Sequence, residues 1–592
     1  MFQSFQETAR PEQGPPRLAA LREELAREGL DGFLVPRADA HQGEYVAPHD
    51  DRLAWLTGFT GSAGYCAALT DVAGVFVDGR YRVQVKAQVA DVYTPVDWPE
   101  TGLAEWIAEK LPEGGTVGID PWLFSVEQMR GMETRLGAVA LRRVGNLVDR
   151  IWEDQPAPPL GAVFAQPVEL AGEAHGDKIA RLAKGLGSAR ACVLTLPDSI
   201  AWLLNIRGSD IPRNPVPHGF AFLHAEGRVT LFMDARKLTD LGDHLGPLVS
   251  VAPPDTFVSA LEALEGPIQI DPATCPVAVA DALAGREIVE APAPCLLPKA
   301  CKNAAELEGT RAAHLRDGAA MVRFLAWLDR QAPGSLTEIA VVKELEAFRR
   351  GTNALRDISF ETIAGAGPNG AIVHYRVTEN TDRAVEAGQL LLVDSGGQYV
   401  DGTTDITRTV AVGDPGAEEC ANFTRVLKGM IGLSRLRFPQ GLAGRDIDVL
   451  ARAALWEVGL DYGHGTGHGV GAYLSVHEGP ARIARTGTVP FAPGMILSNE
   501  PGFYREGAYG IRIENLIAVE PAPPLPGQTV PRMLQFETLT WVPIDRRLIV
   551  TALLTQAERD WLNAYHAEVL ARIGPQVEGE DADWLATACA PL

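Results

Sequence analysis

Four carboxylates in the last third of the chain stand in settings suited to metal chemistry. Asp394 follows the apolar run Leu391-Leu392-Val393, and Asp405 comes eleven residues later in the same segment, LLLVDSGGQYVDGTTDITRTV. Glu500 closes the apolar stretch of MILSNEPGFY. Glu514 lies in GIRIENLIAV, where Ile511 and Ile513 alternate with Arg512 and Glu514 as in a strand with two unlike faces. A lone buried aspartate is more often a satisfied turn or cap residue than a ligand. Several acids in apolar surroundings repel one another, and burial raises their pKa values. Only Arg408 and Arg512 accompany them, too few cations for four carboxylates, so divalent metal is the economical counter-charge.

The run YGHGTGHGVG at 462–471, with VHEGP after it, adds three histidines. Read alone, it is a glycine-rich loop with incidental imidazoles. Beside the acids, His468 completes a set of four carboxylates and one nitrogen. Two divalent cations would balance those four charges and leave a bridging water acidic enough to ionise near neutral pH. Oxygen-rich ligation without thiolate favours Mn²⁺, Co²⁺ or Zn²⁺ and argues against a structural zinc site.

The elements that must hold these residues are legible as periodicities. Apolar spacing predicts a long helix over 304–331, a second over 338–350 behind a Ser/Thr cap, and two more near 417–436 and 445–458. Residues 390–394 read as a strand. Upstream, helical stretches such as 18–28 alternate with strand-like runs such as 74–77. Two proline-rich joints, at 153–161 and 289–298, read as linkers. The segments they bound repeat two motifs in order: AWLTGFTGS from Ala54 recurs as AWLLNIRGS from Ala201, and FVDGR from Phe76 recurs as FMDAR from Phe232. Duplicated α/β domains follow, with boundaries 1–155, 156–300 and 301–592. Trp55 and Trp202 are expected in core, and the acidic run at 578–583 as a solvated surface.

At 592 residues, 46% hydrophobic and 22% charged, the chain can build several packed cores. A formal charge of −23 would repel phosphate backbones and anionic lipid, which makes nucleic acid and membrane poor partners and by itself names no substrate. The seven scattered cysteines lack any CxxC pair and read as thiols of a reducing compartment. With no signal-like start and no long apolar stretch, the expectation is a cytoplasmic protein.

The segments DGTTDITRT, GHGTGHGVG, VHEGP, NEPGFY and GIRIEN resemble those of the pita-bread metallopeptidases, most closely the three-domain cytosolic Xaa-Pro aminopeptidases. DAHQGEY at 39–45, LTGFTGSAG at 56–64, NIRGSDIPRNPV at 205–216 and FETIAGAGPNGAIVHY at 360–375 extend the likeness over nearly the whole chain. The resemblance implies two creatinase-type α/β domains followed by a pita-bread catalytic domain and a C-terminal extension. It also implies that Asp394 chelates one metal, Asp405 and Glu514 bridge two, and His468 with Glu500 complete the second, with Mn²⁺ ahead of Co²⁺ and Zn²⁺.

His374 and His477 match positions that contact the scissile peptide, and His464 one that lines the pocket for the proline ring. Glu500 is the candidate general base, with a histidine as the competing assignment. Arg512 is either a substrate contact or a partner that holds a carboxylate; Arg52 is a substrate contact or an ordinary ion pair. The implied reaction is hydrolysis of an N-terminal Xaa-Pro bond by a metal-bridging hydroxide, in a homodimer acting on peptides with penultimate proline. The alternatives are an Xaa-Pro dipeptidase, a methionine aminopeptidase, which the extra domains disfavour, and a non-catalytic peptide-binding module, which would be marked by a lost ligand. None is lost.

Overall fold

In the computed structural model, which describes residues 1–592, the chain divides into two compact units, residues 8–296 and residues 297–592 joined by the first seven residues. In the first, apolar strands such as Gly32–Pro36 and Ala73–Val77 are buried along their whole length, so the sheet must be covered on both faces. Gly14–Glu28 supplies part of that cover through Leu18, Leu21 and Leu25, and ends on left-handed Gly29.

The expected duplication holds at the level of topology. One six-stranded sheet runs Thr94–Asp97, Ala73–Val77, Tyr65–Leu69, Gly32–Pro36, Gly115–Ile119, Val139–Arg143. The other runs Val249–Ala252, Arg228–Phe232, Phe220–His224, Ala191–Leu194, Ile268–Ile270, Ile288–Glu290. From one edge to the other, both sheets pair parallel, antiparallel, antiparallel, parallel, parallel. Trp202 is buried core, whereas Trp55 is only half-buried, stacked on Trp152 at 5.2 Å with the Arg17 guanidinium 4.2 Å over its ring. Residues 153–161 carry no regular structure, as a linker should. The second joint is shorter than expected: Val289 and Glu290 finish a strand, and Leu296 begins the helix Leu296–Ala300.

The second unit is built twice over from a helix pair followed by strands. Ala304–Asp329 packs on Glu338–Arg350, and Ala417–Ser434 on Gly444–Trp456. Asn303 and Glu306 form a capping box on the first helix, and the Thr337 hydroxyl caps the second by accepting from the Ala340 N–H. The first half contributes an antiparallel sheet of Ile363–Ala366, Gln389–Ser395 and Ile406–Val412. The second contributes a six-stranded sheet in the order Arg437–Pro439, Met533–Thr538, Asn515–Pro521, Ile496–Asn499, Gly467–Gly469, Glu478–Ile483.

One finding differs from expectation. The first seven residues pack in this unit and not in the first α/β domain: Gln3 exchanges hydrogen bonds with the backbone of Thr362. The acidic run at 578–583 is largely exposed, as expected, and leads into the helix Gly579–Ala588, where the partly buried Asp581 meets Arg330 at 2.8 Å. That helix and Gln556–Ile573 bury Leu562, Val569 and Leu585 in a core of this unit. All seven cysteines are free thiols, and no helix is long and apolar enough to cross a membrane.

Candidate metal centre

Asp394 sits inside its strand, in register with Thr407 of the neighbouring strand, while Asp405 lies immediately before that neighbour begins. Glu500 and Glu514 leave the six-stranded sheet at one end, because Asn499 and Asn515 face each other in register and each glutamate is one residue beyond. Glu514 is therefore not within a strand, as its alternation suggested, but in the turn between two strands, where its N–H donates to the Thr407 carbonyl at 3.1 Å and its carboxylate accepts from the Thr407 hydroxyl at 2.8 Å. Thr407 thereby ties the two halves of the unit together at the site.

His468 lies on the short strand Gly467–Gly469. Its Nδ1 contacts the Gly469 carbonyl at 2.9 Å, and since a carbonyl only accepts, Nδ1 carries a hydrogen and Nε2 is left for a cation, or for a proton when none is bound. Nε2 faces Asp405 at 3.5 Å and Glu500 at 3.4 Å. Two ligand atoms on one cation, with bonds near 2.1 Å, are held roughly 3.0 to 3.4 Å apart, so these spacings suit a shared metal. One hydroxyl, Ser498, orients two of these groups, accepting from the His468 N–H at 2.9 Å and donating to Glu500 at 3.0 Å. The glycines in this run serve close packing: a Cβ on Gly467 would stand 2.0 Å from the Ser498 carbonyl oxygen, and one on Gly469 2.2 Å from that of Glu478.

The charges point the same way. Burial and mutual repulsion raise the Asp394, Glu500 and Glu514 carboxyls above their ordinary range. Burial alone would lower His468, yet Asp405 and Glu500 carry it up to about 9. Asp394 Oδ1 is buried with no hydrogen-bond partner. Asp405, His468 and Glu514 converge closely enough for their ligand atoms to share an ion. Four acids, one presented imidazole nitrogen and an orphaned carboxylate oxygen fit divalent metal.

Arg512 is buried, and its guanidinium is fully engaged: Nη2 on Asp394 at 2.5 Å, Nη1 on the Tyr504 hydroxyl at 2.6 Å and Nε on the Thr407 hydroxyl at 3.2 Å. Its contact with Asp394 is the carboxylate-holding one of its two expected roles. Arg408 turns away from the acids to backbone carbonyls of Pro543, Val542 and Glu514. Arg52, the other arginine expected at a substrate, is a buried ion-pair residue whose nitrogens bond Asp149 at 2.6 and 3.0 Å and Asp50 at 2.9 Å.

The other two histidines of the cluster take different positions. His477 meets the His468 ring edge-on at 4.2 Å. His464 receives the Tyr504 hydroxyl hydrogen at Nε2, 2.9 Å away. His374 is half-buried on the loop after Ile363–Ala366. That loop is fastened by Glu338, which accepts from the Ala366 N–H, the Asn369 amide and the Tyr375 hydroxyl at 2.7, 2.9 and 2.8 Å.

Sequence reasoning missed Tyr504, Ser498, Thr407 and Glu338, whose types are ordinary and whose partners lie far along the chain. It also missed Glu478, buried between Lys302 and Lys299, the latter at 3.1 Å. Only the placing of Tyr504 and Glu478 inside the metal-site motifs could have flagged them.

Comparison with known proteins agrees with this geometry. The description metallopeptidase family M24 matches residues 308–521, its C-terminal region matches 532–592, and creatinase/prolidase N-terminal domains match 17–151 and 154–306. A probable Xaa-Pro aminopeptidase P of Laccaria bicolor is 40% identical, covering 97% of this chain and 93% of that one. Aminopeptidase P2 of Arabidopsis thaliana is 39% identical over 95% and 86%. The crystal structure of an X-prolyl aminopeptidase from Caenorhabditis elegans, described as a cytosolic enzyme with a di-nuclear active site, superposes with a TM-score of 0.92 at 34% identity, covering 98% of this chain and all of that one.

Proposed function

The chain belongs to the Xaa-Pro aminopeptidases of metallopeptidase family M24, and from that premise we propose how its residues divide the work of cutting an N-terminal Xaa-Pro bond. The protein is a metal-dependent hydrolase that releases the first residue from peptides with proline second, with two creatinase-type domains ahead of a pita-bread domain. The observation that carries the site assignment is His468 Nε2 lying between Asp405 and Glu500 in a cluster of four acids, three of them buried and Glu500 half-buried.

Asp394, Asp405, His468, Glu500 and Glu514 would hold two divalent cations, Mn²⁺ first and Co²⁺ or Zn²⁺ next. When bound, the cations supply Lewis acidity and lower the pKa of water. Glu500, oriented by Ser498, takes the proton from the attacking water and returns it to the departing proline nitrogen. His477, against His468, and His374, on the loop that Glu338 fastens, donate to the oxygen that gains charge. His464 and Tyr504 form a wall of the proline pocket. Proline brings no N–H and a rigid ring, so the leaving residue is gripped by shape where other peptides are gripped by a hydrogen bond.

We further propose a homodimer in the cytoplasm, on the family resemblance. The free thiols and the description of the nematode relative as cytosolic support the location. The −23 charge supports peptides over nucleic acid or membrane as partners.

Metal-stripped protein given Mn²⁺, Co²⁺ or Zn²⁺ should cleave a longer Xaa-Pro-Xaa peptide and leave Met-Ala peptide intact. Cleavage confined to an Xaa-Pro dipeptide would give the dipeptidase reading, and no cleavage with any metal the binding-module reading. Asp405→Asn should lower turnover by at least about a thousandfold without unfolding the chain; near-normal turnover would remove Asp405 from the ligand set.

A further inference from the structure

Within residues 8–296 a second group of acids and imidazole converges, far from the catalytic residues in sequence. Asp39 lies in the loop after the strand Gly32–Pro36, Asp50 in the turn Pro48–Asp50, and His218 just before the strand Phe220–His224 of the second sheet. One ligand atom from each falls within 4.8 Å of the other two.

The orientation of each group is built by its surroundings. Asp39 is 1% exposed, and its Oδ1 accepts from the His41 and Gly43 N–H groups at 2.9 and 3.1 Å, which aims Oδ2 at His218. Asp50 spends Oδ1 on Arg52 at 2.9 Å. Arg52 is shared with Asp149, so its charge is already claimed by two acids. Lys237, the cation nearest the His218 backbone, is paired with Asp210 at 2.5 Å. The Asp39 carboxylate thus leans on the imidazole of His218, which it raises above its ordinary value against the effect of burial.

The decisive contact is between Asp39 Oδ2 and His218 Nε2. They lie 3.3 Å apart, and both atoms are buried without hydrogen-bond geometry to any partner. A protonated imidazole pairing with a carboxylate would close to about 2.7 to 2.9 Å on axis. A separation of 3.3 Å between a carboxylate oxygen and an imidazole nitrogen is what a long ion pair or a shared cation gives, and it matches the 3.4 and 3.5 Å around His468.

We propose that Asp39, Asp50 and His218 form a third divalent-cation site, one that clips the first α/β half of this unit to the second. Side-chain exposures of 13% for Asp50 and 12% for His218 leave an open side where water completes the coordination. One nitrogen with carboxylate oxygens selects a Zn²⁺ or Co²⁺ class of ion. The site is separate from the catalytic assignment and has no part in turnover.

The test is metal stoichiometry on the full chain, stripped with chelator and dialysed against Co²⁺ alone or Zn²⁺ alone. Wild-type protein should retain about three ions per chain, and Asp39→Asn or His218→Ala about two, with turnover within about twofold of wild type. Two ions in wild type, or three in both variants, overturns the proposal. Should the variants fold poorly, Asp50→Ala in the turn Pro48–Asp50 decides alone: about two ions kept supports the site, and three kept removes it.

Discussion

Tyr504 stands between His464 and Arg512, donating its hydroxyl to the imidazole at 2.9 Å and accepting the guanidinium at 2.6 Å. Because Arg512 also grips Asp394, a pocket histidine and a candidate metal ligand share one hydrogen-bonded chain.

That chain can be cut at two places with different results. Arg512→Met strips Asp394 of its guanidinium partner, and outer partners of this kind typically cost about 10–100-fold in metal affinity, so metal retention should fall by that much. Arg512→Lys should recover little, because an ammonium cannot reach Asp394, Tyr504 and Thr407 together. Tyr504→Phe leaves the Arg512–Asp394 pair intact, so metal retention should hold while KM rises. Equal metal loss in both variants, measured by metal content after dialysis, would refute the division.

The candidate ligand set was legible because metal chemistry needs rare residues in apolar company: Asp394, Glu500 and Glu514 show that conflict locally, whereas Asp405 and His468 stand out only beside them. The fold was legible for the same reason in its helices: 338–350 ends where its periodicity ends. What the sequence hid was pairing. Arg512 and Arg52 look alike as candidates, and only the fold shows that the nitrogens of both are spent on carboxylates and hydroxyls. Ser498 and Thr407 carry no signal at all, since a hydroxyl becomes an orienting group only through what register places beside it.

Glu478 is buried with two lysines and follows His477 directly. Glu478→Gln leaves two buried ammonium groups facing an amide, and breaking a buried pair in this way costs about 3–5 kcal/mol. Lys302→Met leaves Glu478 with Lys299 and should cost less. Thermal and denaturant midpoints will rank the two; a larger loss in Lys302→Met would mean that the glutamate is not the centre of the cluster.

His566 is fully buried and accepts the Ile544 N–H at 3.1 Å through Nε2, which requires the neutral ring. Burial, with Arg408 and Arg546 nearby, lowers it to about 3. The unfolded ring protonates near 6.5, so between about 6.5 and 3 the unfolded state binds the extra proton and stability falls as pH falls, on the order of 5 kcal/mol in all. His566→Gln keeps an acceptor and removes the titration. Its stability should therefore change less than wild type between pH 7.5 and pH 5, and identical slopes for the two proteins would sink the assignment.

The glycine run allows a matched pair of substitutions. Gly465 and Gly467 both have ordinary backbone angles, so only space separates them. A Cβ on Gly465 finds its nearest neighbour at 3.5 Å, an ordinary contact, whereas one on Gly467 meets the Ser498 carbonyl oxygen at 2.0 Å. Backbone on both sides of that clash must move. Ser498 orients both His468 and Glu500, so the shift displaces two ligands together. Gly467→Ala should therefore lose bound metal and at least about a hundredfold in turnover, since misplacement of about 1 Å costs that much. Gly465→Ala should stay within about threefold of wild type by the same reasoning. Metal content and kcat measured on the two variants side by side decide the matter; equal behaviour would show that the glycines serve flexibility and not the close approach of His468 to the strand of Ser498.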